Sequence, residues 1–381
     1  MPTTGLTAAP ARTTSDRAAG TFIGVYSAVL YTVLLTAPVI GGALTAQFAL
    51  TPGQLGGLFS LELGAFSLAT LPAYLWLGRI DPRTATYCCT AVFIAGNVVS
   101  GLLDSFPLLV AVRVITSLAA GSITIVLLSL SARTSNPGRA FGIFVVSQLA
   151  MGALILAVFP VVFAGAPVAA VYWTMAALGV LCLPVVRLLR GGLTAQEPTS
   201  RRTPGVRFAL GLAGIFLFYV ALSGVWTFMA GISSAAGTDL SDTSVVLSVA
   251  TAAGIGSALI ATLIGDSPRR RTYLLSGYAA LTASIALLLG GPGLIRFAVA
   301  AVVFKFAWTF LLPNLLTALA AVSRGTQVMN SANLMIGGGF AIGPYLAGLL
   351  VGTTSGYTAM LCVSLAAVLL STACAAVISK S

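Results

Sequence analysis

Apolar runs about as long as a bilayer is thick constrain this 381-residue chain more than any other feature. They lie near 20–43, 53–77, 84–103, 107–130, 138–163, 168–189, 206–232, 242–265, 271–290, 294–320, 326–351 and 357–378, parted by short stretches of Gly, Pro and charge. A helix crosses the hydrocarbon with about 20 apolar residues. Strands of a membrane barrel need only about ten and alternate in polarity, and these runs are longer and do not alternate. The supply of charge agrees: 7% of residues are charged, 58% are hydrophobic, and mean hydropathy is +1.04. A water-soluble surface takes about 25% charged residues, so most of this surface must be solvated by lipid. The expectation is an all-α membrane protein with twelve transmembrane helices.

A net charge of +11 would point to nucleic acid in a soluble protein. The positions of the charges say otherwise. With the first span entering from the cytoplasm, the inner segments collect 16 of the 19 basic residues, from Arg12 and Arg17 to Arg324 and Lys380. The outer loops hold Asp104, Asp239 and Asp242 instead. Basic residues are retained on the cytoplasmic side during insertion. The sequence therefore predicts a multi-pass protein of the cell inner membrane with both termini cytoplasmic, an even number of spans, and no nucleic-acid partner. The first 18 residues are polar, so no signal peptide is expected ahead of the first span. The five cysteines sit in apolar runs without ligand spacing, and histidine is absent. Neither a metal nor a cofactor is expected.

The longest polar interruption is RGGLTAQEPTSRRTPGVR, from Arg190 to Arg207. It divides the runs six and six. The expected organisation is a cytoplasmic tail over 1–19, a six-helix bundle over 20–189, a linker over 190–206 and a second bundle over 207–381. The halves also repeat one another. Asp81 and Asp266 are 185 apart, Arg113 and Arg296 are 183 apart, Arg139 and Arg324 are 185 apart, and Pro160 and Pro344 are 184 apart. An internal repeat meeting near the midplane is the architecture of many secondary transporters.

On these residues the chain resembles the major facilitator superfamily over about 20–378. The loop signature of that family, a Gly and an Asp followed by basic residues, is matched by GRIDPR at 78–83 and GDSPRRR at 265–271. A second signature, Arg followed by small residues in span 4, stands as RVITSLAAGS with Arg113, Ser117 and Gly121. Span 11 carries GGGFAIGPYLAG at 337–348, while span 5, SQLAMGALILAVFP, lacks the Gly/Pro bend of proton-driven exporters. The resemblance implies two pseudo-symmetric bundles working by alternating access on a small molecule, as a monomer. It also implies a conformational gate on the cytoplasmic face formed by Asp81, Arg83, Asp266 and Arg269.

Setting aside Arg139, Arg187, Arg207, Asp242 and Arg271 at the run ends assigned to the loops, four ionisable residues are read as lying inside the spans: Glu62, Arg113, Arg296 and Lys305. A charge near the bilayer centre costs at least about 2.5–3.5 kcal/mol, so each needs a partner or a watery cavity. Counting about 1.5 Å per residue from the outer ends, Lys305 lies about 16 Å deep, Glu62 and Arg113 about 9–14 Å, and Arg296 close to the interface. Lys305 is thus the candidate to hold a substrate anion, or else to pair with Glu62. Glu62 is the acidic residue buried in a span, and a carboxylate can take up a proton where Arg cannot. It is the proton-coupling candidate, with a structural pairing to Arg113 or Lys305 as the alternative. Arg113 either supports the substrate site or holds the first half together. Tyr26, Tyr31, Asn97, Gln148, Trp226, Asn314, Asn330 and Asn333 are costly against lipid and are expected to point inward.

Two transport readings follow. One is a proton-coupled transporter of a small organic anion, a carboxylate or aromatic acid. The other is a proton-driven exporter of drugs or metabolites on the same fold. A membrane enzyme would need clustered nucleophiles or ligands, a channel would need a pore loop or charged ring, and no G-x-x-x-x-G-K-[ST] phosphate loop exists. The partners expected are therefore substrate, protons and the lipid bilayer.

Overall fold

The computed structural model describes residues 14–163, 165–190, 205–264, 269–322 and 326–379. Among these residues the regular structure is helical, and local sequence explains where the helices begin. Ser15 opens α1 (Asp16–Leu30), and its hydroxyl accepts the Ala18 N–H at 3.4 Å. Thr51 opens α3 (Pro52–Leu68) with a reciprocal box: its Oγ1 accepts from Gln54 N at 3.2 Å while Gln54 Oε1 accepts from Thr51 N at 2.9 Å. Asp81 caps α5 (Pro82–Ser100), and Asn136 caps α7 (Pro137–Val162). Each of these last three caps is followed by a proline, whose missing N–H costs nothing in a first turn.

The remaining helices are α2 (Thr32–Phe48), α4 (Thr70–Trp76), α6 (Phe106–Ser131), α8 (Val168–Cys182), α9 (Val206–Thr227), α10 (Met229–Ala235), α11 (Leu240–Ile264), α12 (Arg270–Leu287), α13 (Leu294–Val322), α14 (Thr326–Val351) and α15 (Gly356–Ile378). The first apolar run is two helices, because the backbone leaves helical geometry at Tyr31 (φ −90°, ψ 1°). Together α1 and α2 form one 33-residue segment, Asp16–Phe48.

Among the described residues, 10 helical segments are long and apolar enough to cross a membrane. The twelve expected from the runs are not all matched by this measure: α5 and α12 fall short of the apolarity of the others. Their sequences explain it, since α5 carries Arg83, Thr84, Thr86, Thr90 and Asn97, and α12 opens on Arg270 and Arg271. Both nevertheless pack among the other helices, α5 against α6 and α8, α12 against α13 and α15. The chain is a multi-pass membrane protein.

At one end of the first half, loops with basic residues are tied together. Ser135 N donates to Asp16 at 3.2 Å, Arg83 Nη2 donates to Arg187 O at 3.0 Å, and Thr14 Oγ1 donates to Arg190 O at 2.7 Å. We call this end the basic face.

The two halves of the chain meet along α3 with α14 and α7 with α11. The approach is closest toward the face opposite the basic one. A Cβ on Gly56 would run into the Pro344 carbonyl, and one on Gly348 into the Pro52 carbonyl. Tyr345 N also approaches Ser60 Oγ at 2.8 Å, and Ser248 Oγ donates to Ala153 O at 2.7 Å. Only glycine lets two helix backbones come this near. At that end the two halves are in backbone contact, and the contact of α3 with α14 runs on to Gly337 beside Ser67.

Candidate functional site

The interior of the bilayer has no water to solvate a charge, so each buried ion must be answered by the protein. In the first half, the answer is complete. Glu62 on α3 and Arg113 on α6 form a salt bridge through Arg113 Nε, with side chains 3% and 1% exposed. Arg113 Nη1 donates to Asn97 Oδ1 on α5 at 2.8 Å, and Asn97 Nδ2 donates onward to Phe93 O at 2.8 Å. The guanidinium carbon lies 4.7 Å from the centre of the Tyr172 ring on α8. One arginine therefore ties four helices, α3, α5, α6 and α8. The Glu62–Lys305 pairing open to the sequence is not what forms: Glu62 pairs with Arg113, its neighbour within the same half.

Lys305 has a different environment. It is 2% exposed on α13, and no described carboxylate pairs with it. Its Nζ lies 4.0 Å from the Trp226 ring centre and 4.2 Å from that of Trp308. Trp308 is one helical turn along α13 from the lysine, so both project from one face; Trp226 arrives from the end of α9. Gly254 of α11 leaves room for the lysine stem, a Cβ there standing 3.4 Å from Lys305 Cγ. The rings continue outward: Trp308 is 6.3 Å from both Tyr219 and Phe340, and those two are 4.8 Å apart. An ammonium facing two indoles is stabilised by their π-electrons, at about 2 kcal/mol when desolvated. That offsets part of the cost of burial and leaves the positive charge unneutralised.

The other expected site residues divide. Trp226 is fully buried beside Lys305. Tyr26 is buried with its hydroxyl 3.0 Å from Thr90 Oγ1, inside the first half. Tyr31, at the α1–α2 break, packs edge-on against Phe66 at 5.1 Å and Phe144 at 5.4 Å. Asn314 turns back onto its own helix, donating to Phe310 O at 2.8 Å. Asn333 is exposed. Tyr26, Asn314 and Asn333 are not brought together with Lys305 by any described contact, whereas Tyr31 lies near Tyr219 of the aromatic group. Arg296 is exposed at the start of α13 and bonds Leu289 O at 3.1 Å, in keeping with an interfacial place.

Of the expected gate, Asp81 accepts from Thr84 N at 3.2 Å and caps α5. Arg83 donates to Leu189 O and Arg187 O, so these contacts run within the first half. Arg269 stands exposed before α12. Asp266 lies outside the described residues, as does the side chain of Asn330. Among the described residues no three His, Cys, Asp or Glu side chains gather as metal ligands would. The rings that sequence reasoning missed are Tyr219 and Phe340, which come from other helices; only the i, i+3 spacing of Lys305 and Trp308 was there to be read.

The structure thus gives two bundles of apolar helices in close contact, with a buried cation in the second. The family comparison decides the matter: the Major Facilitator Superfamily model matches residues 25–333. The chain belongs to that superfamily. No curated protein matches its sequence. Among solved structures, this superfamily member is similar in fold to the nucleoside transporter NupG, with TM-score 0.72 and 15% identity over 95% of this chain and 99% of that one. It is similar also to a bacterial homologue of the human lysosomal transporter Spinster, captured inward-facing and occupied, with TM-score 0.65 and 16% identity over 95% of each chain.

Proposed function

We propose that the protein is a secondary active transporter that moves a small organic anion, a carboxylate or an aromatic acid, by alternating access with proton coupling. Lys305 is the binding charge. The observation that carries this is its setting: a buried ammonium held by two indoles, with no described carboxylate to neutralise it. Such a cation attracts an anion, and the ring faces beside it suit a flat apolar body. A nucleoside transporter stands among the structural neighbours, and a nucleoside is also a flat ring with polar edges. The ammonium is what favours an acid here.

Proton coupling is assigned to Glu62. Protonating it would leave the Arg113 charge without its counter-ion, so proton uptake there must rearrange the contacts of α3, α5 and α6. Under this proposal the chain spans the cell inner membrane twelve times with both termini cytoplasmic, residues 20–189 rock against 207–381, and the unit is a monomer. Arg113, Tyr26, Tyr31, Asn314, Asn333 and Trp226 would complete the substrate path. Asp81, Arg83, Asp266 and Arg269 would form the gate on the cytoplasmic side.

Export of amphipathic drugs or metabolites is the second reading, favoured by the aromatic group of Tyr219, Trp226, Trp308 and Phe340. Titration with benzoate and with a tetraphenyl cation separates the two. Trp226 and Trp308 report binding through their fluorescence. The anion reading expects a saturable change with benzoate that Lys305→Ala abolishes. A response to the cation alone, or a benzoate response unchanged in Lys305→Ala, refutes it.

A further inference from the structure

Proline at position 38, inside α2, has no N–H to give the carbonyl of Leu34 one turn earlier. A backbone carbonyl inside a bilayer still needs a donor. The donor comes from the other half of the molecule: Trp226 Nε1 bonds Leu34 O at 3.1 Å. Trp226 is fully buried. The ring carrying that N–H is also the ring lying 4.0 Å from Lys305 Nζ. A single indole therefore touches the proline-broken backbone of the first run and the cation of the second half that no described carboxylate pairs. It does so where α2 of the first half meets α9 of the second.

We propose that Trp226 is a latch between the halves, its N–H holding them together through the carbonyl that Pro38 frees, and its ring face reporting whether Lys305 is occupied. An anion that draws the ammonium off the ring removes one of two restraints on the indole, and the Leu34 contact responds. This second clause rests on the anion reading of Lys305; the latch itself does not.

The test is a distance measurement on the full chain in lipid nanodiscs, with no ligand added. Spin labels replace Asp104 and Asp239, exposed residues in loops of opposite halves at the end away from the basic face, after the native cysteines are exchanged for serine. Trp226→Phe keeps a ring over Lys305 and removes the N–H. The expected result is a rise of roughly three- to tenfold in the ratio of wide to short distances, the worth of one hydrogen bond. Pro38→Ala supplies Leu34 with an intrahelical donor and is expected to shift the ratio the same way. It reads the same contact should Trp226→Phe fail to assemble. The double variant should shift no further than the larger single change. An unchanged distribution in both single variants, or fully additive shifts, overturns the latch. Benzoate is then added. A change in the wild-type distribution that Lys305→Met lacks supports transmission from the cation. Benzoate without effect on the wild type refutes that transmission and the anion reading, while the ligand-free shift still decides the latch.

Discussion

Two buried cations in one chain are answered in opposite ways. Arg113 receives a carboxylate, an amide and a ring face, whereas among the described residues Lys305 receives ring faces and no carboxylate. The contrast separates a charge paired within its own half from one with no described counter-ion. Arg113→Met leaves the Glu62 carboxylate buried without a partner, and the expected loss is about 3–5 kcal/mol. Thermal unfolding in detergent should show it, and a Glu62→Leu/Arg113→Met pair should recover most of that loss. Recovery absent from the double variant would contradict the pairing. Lys305→Met goes the other way. It keeps the volume and removes an unneutralised charge, so melting temperature should hold or rise while benzoate binding is lost. A lower melting temperature with binding intact would make Lys305 structural. The burial of Lys305 was legible, because a lysine far from both ends of an apolar run cannot snorkel to the interface. The choice of Arg113 over Lys305 as partner of Glu62 was not, because it depends on which helices are neighbours.

Helices in lipid gain little from burying apolar surface against one another, so close backbone packing must do more of the work. The contact of α3 with α14 is built that way. The glycines of GGGFAIGPYLAG were visible in the sequence, but nothing there showed that Gly337 and Gly348 meet α3 while Gly338, Gly339 and Gly343 meet α9. Gly56→Val places side-chain atoms against the Pro344 carbonyl. The arrangement with the halves in contact there should weaken by about 1–3 kcal/mol, roughly a five- to hundredfold loss of its population. The label pair at Asp104 and Asp239 reads this too, as a shift to wide distances. No shift would mean that the halves close elsewhere. The break at Tyr31 was hidden, since no proline or glycine marks it. The polarity of α5 was legible in Arg83 and Asn97, and Asn97 is polar because it holds Arg113.

At the scale of the whole molecule, the membrane class and the superfamily were legible from run length and loop motifs, and the family match bears both out. The occupant of the site was not legible, since the cage is assembled from α9 and α13 with Tyr219 and Phe340 around it. If protons drive the cycle through Glu62, then Glu62→Gln should bind benzoate as the wild type does yet fail to accumulate it under a pH gradient. Retained accumulation would remove Glu62 from coupling. The central claim is that Lys305 is the anion site of a proton-driven cycle, and the most direct measurement is uptake of radiolabelled benzoate into proteoliposomes with the outside made acidic. The account predicts accumulation above the external concentration by the wild-type protein, its collapse when a protonophore abolishes the gradient, and none by Lys305→Ala. Accumulation by Lys305→Ala equal to that of the wild type would contradict it.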